Sequence, residues 1–210
     1  MSVIKKIDFK KDFKQLYNPS SKEVTFINVP KMNFLMINGQ GDPNTSKDYR
    51  QAIEALYGVS FTIKFTLKFA KRGPEYTVPP FETLWWIPDG KPFTAENKST
   101  WLWQAMIRQP DHVKKADVMD AIKKASEKKP NPASAKIRFE SLEEGPCVQI
   151  MHIGPYGEEG PTIAKMDAYI KENGYEFRGE HHEIYLGDPR RTAPEKLKTV
   201  LRHPVKKKGM

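Results

Sequence analysis

Glu183 is the residue of this chain best placed to do chemistry. It stands in His181-His182-Glu183-Ile184-Tyr185-Leu186-Gly187-Asp188-Pro189, a strand pattern running into an Asp-Pro turn. An ionised carboxylate among apolar and aromatic neighbours costs several kcal/mol to bury unless something pairs with it. Folding alone would favour Val or Thr there. A glutamate points to a ligand, a water or a cation that needs negative charge in a pocket; an open, wet strand face also accommodates it. Glu82 offers a second carboxylate, in Phe81-Glu82-Thr83-Leu84-Trp85-Trp86-Ile87. Tyr185, Trp86, Trp103 and Tyr57 offer flat surfaces on which an aromatic or cationic ligand stacks, with His181 beside them.

Those residues need elements to hold them. Lys136 to Leu142, Cys147 to Ile153, Glu180 to Leu186 and a stretch from Lys196 to Val200 or a little beyond read as strands, as do Phe81–Ile87 and Trp101–Ile107. Val24-Thr25-Phe26-Ile27 and Phe34-Leu35-Met36-Ile37 flank Pro30-Lys31 and predict a β-hairpin. Asp42 and Pro43 then suit the N-cap and first position of a helix carrying Tyr49, Ala52, Ile53, Leu56 and Tyr57. Val59, Phe61, Ile63, Phe65, Leu67 and Phe69 alternate as a strand does, yet Ile53, Leu56, Ser60, Ile63, Leu67 and Ala70 continue a helical stripe without a breaker. The helical pattern predicts one long helix to about Ala70. A second helix carries Val118, Met119, Ile122 and Ala125, and a third turns Ile163, Met166 and Ile170 inward before Gly174 ends it.

Breaks at Pro79-Pro80, Pro88-Asp89-Gly90 and Pro130-Asn131-Pro132 divide the chain. We expect an arm at 1–22, a first module with its connecting helix at 23–130, and a second module at 131–210. Trp86-Ile87-Pro88-Asp89 echoes Tyr185-Leu186-Gly187-Asp188, and Met106-Ile107-Arg108-Gln109-Pro110 echoes Val200-Leu201-Arg202-His203-Pro204. The expected fold is therefore α+β: duplicated strand-strand-helix-strand-strand modules with pseudo-two-fold symmetry, antiparallel sheets with helices on one side, and a central ligand cleft. If Trp86 matches Tyr185, then Glu82, Leu84 and Trp86 share the cleft face with His181, Glu183 and Tyr185, since strand side chains alternate. Phe81, Thr83 and Trp85 would then point the other way. Trp101 and Trp103 share a face that parity alone does not assign.

Composition narrows the partners. Among 210 residues, 38% are hydrophobic and 29% charged, which suits a globular chain. No apolar run reaches the roughly 20 residues of a membrane span, and the start lacks the apolar core of a signal peptide. Cys147 is the only cysteine and opens the apolar run Val148-Gln149-Ile150-Met151, which suits a small buried residue. A cytoplasmic protein is expected. The net charge of +9 is spread over solvated lysine faces, with no helix-turn-helix, zinc or RNA-binding motif, so the expected partner is a small lipophilic or aromatic molecule and neither nucleic acid nor membrane. Nothing calls for a cofactor or metal: adjacent strand residues His181 and His182 point apart. A monomer or weak homodimer is expected.

An ordered set of motifs carries a resemblance. Glu183 to Arg190, Pro194 to Thr199 and Pro204-Val205 resemble the closing motif of the GyrI-like small-molecule-binding family, built of SHS2 modules, and His152-Ile153-Gly154-Pro155-Tyr156 resembles its mid-module motif. Asp8 to Tyr17, Gly39 to Pro43 and Glu82 to Trp86 are similar to a stand-alone branch of it; Gly187 departs from the commoner Ser or Asn. The resemblance implies a central cleft for lipophilic, often cationic aromatic compounds, a buried glutamate at Glu183 facing the ligand, and a role for Tyr156. It also implies hydrolysis of cyclopropane-bearing alkylating natural products, hence drug detoxification. In that chemistry Glu183, or Glu82, positions water and Tyr156 donates to a developing oxyanion. The alternative is a non-catalytic multidrug-binding protein that sequesters its ligand in the same cleft.

Overall fold

A computed structural model describes residues 6–88 and 97–209. The first five residues, with Lys5 of the basic start, and Asp89 and Gly90, which belong to the predicted break and to one sequence echo, lie outside the described residues.

Nine antiparallel strands form the sheet: β1 (Thr25–Val29), β2 (Met32–Gln40), β3 (Phe81–Trp86), β4 (Leu102–Gln109), β5 (Arg138–Leu142), β6 (Gly145–Ile153), β7 (Tyr175–Phe177), β8 (His181–Tyr185) and β9 (Lys198–Lys207). Their order is β1-β6-β9-β8-β3-β4-β2-β5, with β7 added on β9. The order is a palindrome about the β8–β3 pair: β3, β4, β2 and β5 occupy on one side the places of β8, β9, β6 and β1 on the other. Helix α3 (Lys47–Phe69) packs on β2 and β4, α4 (Lys115–Lys128) packs on α3, and α5 (Gly160–Glu172) packs on β6 and β7.

The predicted β1–β2 hairpin is not formed. β1 pairs with β6 and β2 with β5, in one register that carries across the bend: Val29 lies opposite Gly145, and Met32 opposite Leu142. The chain at Pro30-Lys31 continues along this ribbon instead of folding back. Pro30 cannot donate to a ladder, so the bend falls where a strand loses a hydrogen bond anyway. Because β1 and β5 end the sheet order while the bent ribbon joins them, the sheet curls round a common interior.

The α3 segment is a helix, and its misleading alternation has a simple origin. Val59, Ile63 and Leu67 form one i,i+4 row facing the core, and Tyr57, Phe61, Phe65 and Phe69 form a second, outward row. Two interleaved rows mimic a period of two. The helix starts later than expected: Ser46 caps it by accepting from the Tyr49 N–H, while Asp42 accepts from the Asn44 N–H in the preceding turn. In α4, Val118 and Ala121 are buried but Met119 is 64% exposed, one position off the inward stripe.

The face of the sheet away from α3 and α5 is closed by the N-terminal arm, whose short helices α1 (Phe9–Asp12) and α2 (Lys14–Tyr17) bury Phe9, Leu16 and Tyr17. Beneath it lies a chain of buried polar groups. Tyr17 donates to Glu82 (3.3 Å), His182 Nε2 pairs with Glu82 (3.0 Å), His182 Nδ1 donates to Glu144 (3.0 Å), and Arg202 donates to Glu144 (3.2 Å), Gln149 (3.1 Å) and the Leu16 carbonyl (2.7 Å). Burial alone would depress His182, but Glu144 and Glu82 outweigh it and raise it to about 9. Burial opposes ionisation of Glu144, yet His182 and Arg202 hold it down at about 2. The histidinium contribution is therefore present below the ordinary histidine range and lost as pH rises through about 9. The Glu144 contribution is present above the ordinary carboxylate range and lost as pH falls toward about 2. Removing one member of such a network strands a buried charge, so Glu144→Gln should cost about 3–5 kcal/mol by urea unfolding at neutral pH; a loss within the range of ordinary surface substitutions would show that the network is not a structural tie.

Candidate functional site

Pairing between β3 and β8 assigns the faces. Phe81 lies opposite Tyr185, Thr83 opposite Glu183, and Trp85 opposite His181. Directly opposed residues in an antiparallel pair share a face. Phe81, Thr83 and Trp85 therefore join His181, Glu183 and Tyr185 on the side covered by α3 and α5. Glu82 and Trp86 lie on the other side with His182, under or beside the arm, and Glu82 is 1% exposed within the network described above. The expected convergence of Glu82 and Glu183 is thus not formed. The echo that suggested it equates Trp86 with Tyr185, which the register puts on opposite faces. It also disagrees with the second echo. Thr83 and its echo partner His182 sit opposite Ala105 and Arg202, whereas the second echo equates Ala105 with Thr199.

The side chains on the Glu183 face form a continuous aromatic surface, where the expected cleft would lie. Phe81 stacks on Tyr185 (5.7 Å between ring centroids), Tyr156 meets Tyr185 edge-on (5.4 Å), and Tyr57 and Tyr49 of α3 approach Phe81 (6.3 and 6.1 Å). Trp85 packs on Tyr49 (5.4 Å) and Trp101 (5.9 Å). Trp103, opposite Trp85, faces the same way but is 1% exposed under Tyr49 (5.0 Å) and supports the floor from behind. Its ring crosses Gly39, where a Cβ would fall 2.2 Å from it, so only glycine fits that strand position.

Glu183 lies in this floor with its side chain 16% exposed. Tyr185 donates to its Oε2 (2.7 Å) and itself accepts from Trp85 Nε1 (3.3 Å); His181 Nε2 lies 3.5 Å from Oε1. Burial, with Glu183 adding to it, raises Tyr185 far above the ordinary phenol range. Tyr185 is thus a neutral donor that orients the carboxylate, whose other oxygen lies beside His181.

A second carboxyl reaches the same place by a route that strand parity could not reveal. His152 on β6 donates from Nε2 to the Pro155 carbonyl (3.2 Å), and its Nδ1 is hydrogen-bonded with the Thr162 hydroxyl (3.0 Å). This ties the Gly154–Gly160 loop to the sheet and sets Tyr156 and Glu159 over the cleft. Glu159, the residue before α5, is 6% exposed, and the polar group beside its carboxyl is the hydroxyl of Thr199, which lies opposite Tyr185. Burial first, then the Glu183 charge, push Glu159 up to about 9. Burial, followed by both carboxyls, pushes Tyr156 up to about 12. Burial thus favours the acid form at Glu159 and the phenol at Tyr156, beside the hydrogen-bonded Glu183. Of the residues expected from sequence, Glu183, Tyr156, Tyr185, Tyr57 and His181 come together. Phe81, Thr83, Trp85, Tyr49 and Glu159 join them; the first three follow from the register, while Glu159 had no sequence signal of its own.

A profile of the GyrI-like small molecule binding domain matches residues 22–206. The chain belongs to the GyrI-like family. Its fold is similar to an uncharacterized conserved protein from Listeria innocua, at 40% identity and TM-score 0.89, with 96% of this chain and all of that one covered. A hydrolase from Listeria innocua is similar at 40% identity and TM-score 0.86, with the same coverage. The EcmrR C-terminal domain shares the fold at 14% identity and TM-score 0.54, covering 88% of this chain and 98% of that one. Comparison with proteins of curated function gives no match. No helix among the described residues is long and apolar enough to cross a membrane.

A carboxyl held protonated above its unfolded value binds a proton that the unfolded chain releases. Its contribution to stability falls as pH rises from about the ordinary carboxylate range to about 9, and is level beyond. Glu159→Gln cannot ionise, so thermal melts should show the variant gaining on the wild type between pH 5 and 9 (by about 1 kcal/mol or more). A constant difference across that range would show that Glu159 ionises as a free carboxylate does.

Proposed function

We propose that this GyrI-like domain binds flat lipophilic molecules in the cleft between α3 and α5 and opens strained, carbonyl-conjugated cyclopropanes in them with water. The observation that carries the reading is two carboxyls on one aromatic face, Glu183 held by the Tyr185 hydroxyl and Glu159 buried beside it. Sequestering a lipophilic cation needs negative charge; a second carboxyl whose burial favours its protonated form adds nothing to that task. Acid–base chemistry uses both. The likeness to a hydrolase at 40% identity over nearly the whole chain supports it.

The substrate's ring system stacks between Tyr57, Phe81 and Tyr185, with Tyr156 at its edge. Glu183, aligned by Tyr185, accepts a proton from a water whose oxygen attacks the cyclopropane methylene. The carbon–carbon bond opposite breaks, and its electron pair moves through the conjugated system onto the carbonyl oxygen. Glu159 or Tyr156 supplies a proton to that oxygen, and the proton held by Glu183 restores the donor. The net change is addition of one water, with no cofactor consumed. Preorganised donors at the developing oxyanion and a fixed water account for catalysis in such a site.

Incubation with a cyclopropanoid alkylator, followed by product mass, tests the proposal. Many equivalents of ring-opened hydrate are expected from the wild type, with turnover reduced about 10²-fold or more in Glu183→Gln and ligand binding kept. Wild-type turnover should fall as pH rises through about 9, where Glu159 ionises, and Glu159→Gln should lose that alkaline limb. Stoichiometric capture of intact compound would instead establish a sink, and full turnover by Glu183→Gln would remove Glu183 from the mechanism.

A further inference from the structure

The outward row of α3 continues the cleft floor onto the surface. Tyr57 approaches Phe81 on one side and stacks on Phe61 on the other (6.2 Å, 25° between rings). Phe61 stacks on Phe65 (6.4 Å) and Phe65 on Phe69 (6.2 Å), all within 22° of parallel. These phenylalanines are 43%, 45% and 79% exposed, and the row spans about 18 Å of helix. Core packing explains none of them, since Val59, Ile63 and Leu67 already fill the inward face. Contiguous exposed aromatic surface of this kind marks an interaction site.

The charges around the row restrict its partner. Lys64 Nζ lies over the Phe61 and Phe65 rings (5.8 and 5.3 Å), and Lys68 and Lys71 follow at the same end of the helix, while Arg72 is taken up by Asp117. Lys68 pairs with Glu75 only in an open surface ion pair (3.1 Å). A second copy docking row to row would set these cations against their equivalents, on chains that each carry +9. The row is also a convex ridge, which inserts between lipid headgroups more readily than it grips a small molecule.

We propose that the Phe61-Phe65-Phe69 ridge docks on an anionic lipid bilayer, with the phenylalanines in the headgroup–acyl boundary and Lys64, Lys68 and Lys71 on the acidic headgroups. The expectation of no membrane partner rested on the lack of a spanning segment; surface docking needs only exposed side chains. The ridge meets the cleft at Tyr57, so a lipophilic molecule dissolved in the bilayer would enter the cleft without crossing water. The docking itself does not depend on the chemistry proposed for the cleft.

Sedimentation of the full chain with phosphatidylserine-containing vesicles, and with pure phosphatidylcholine vesicles, tests this. The wild type should bind the anionic vesicles and lose binding about tenfold or more at high salt. It should lose a comparable factor in F61S/F65S/F69S and in K64E/K68E, with melting temperatures and cleft-ligand affinity in detergent-free buffer retained. Absence of binding to anionic vesicles, or wild-type binding by both variants, overturns the proposal. So does a wild-type dimer in sedimentation velocity that F61S/F65S/F69S converts to monomer, because the ridge then belongs to a second copy. Capture of a fluorescent single-stranded oligonucleotide through the same residues, with vesicles ignored, also overturns it.

Discussion

The register between β3 and β8 is the constraint on which the rest of this molecule depends. With Thr83 set opposite Glu183, every side chain of the two central strands is assigned to one of two chemically different faces. A slip of one residue would exchange them. Glu183 would then be under the arm and His182 in the cleft, leaving Arg202 and Glu144 without their partner. The buried ion network and the cleft are therefore two consequences of one pairing. Each stabilises the register that the other needs, since neither face tolerates the other's residues.

The two faces use charge differently. Under the arm, Glu82 and Glu144 flank His182, and Arg202 faces Glu144, so charges are paired and their protonation states are held by opposite neighbours. On the Glu183 face two carboxyls share an aromatic surface, and burial with the neighbouring charge pushes Glu159 toward its protonated form. The first arrangement ties the N-terminal arm to the sheet through the Leu16 carbonyl and Tyr17. The second places Glu159, pushed toward its protonated form by burial and the Glu183 charge, on the aromatic face. Tyr49, Phe81, Trp85 and Trp103 wall that face, with the Tyr49 hydroxyl bonded to Thr83 and the Trp85 N–H to Tyr185.

Much of the fold is legible in the sequence because hydrophobic period reports element type. The long α3 helix, the strands and the inward stripes of Met166 and Ile170 follow from it. Strand partners do not. Pro30-Lys31 looks like a hairpin turn locally, and only the long-range pairing of β1 with β6 shows that the chain runs straight on. Face assignment failed for the same reason: alternation gives which residues share a face within a strand, while the relation between two strands depends on a register that no local pattern carries. Glu183 stands out in the sequence as a carboxylate in an aromatic strand, and Tyr156 only through the resemblance of its Gly-Pro-Tyr motif. Glu159 does not, because its burial comes from His152 anchoring a loop whose own sequence looks solvent-loving.

The direct test of the account is the protonation of the cleft carboxyls. Carbon-13 NMR of the protein labelled at glutamate side-chain carboxyls, titrated from pH 4 to 10, should show a resonance that keeps its protonated shift through pH 7 and titrates near 9. That resonance should vanish in Glu159→Gln. If every glutamate that titrates does so in the ordinary carboxylate range, the two carboxyls do not share a buried face, and the acid–base cleft described here is wrong.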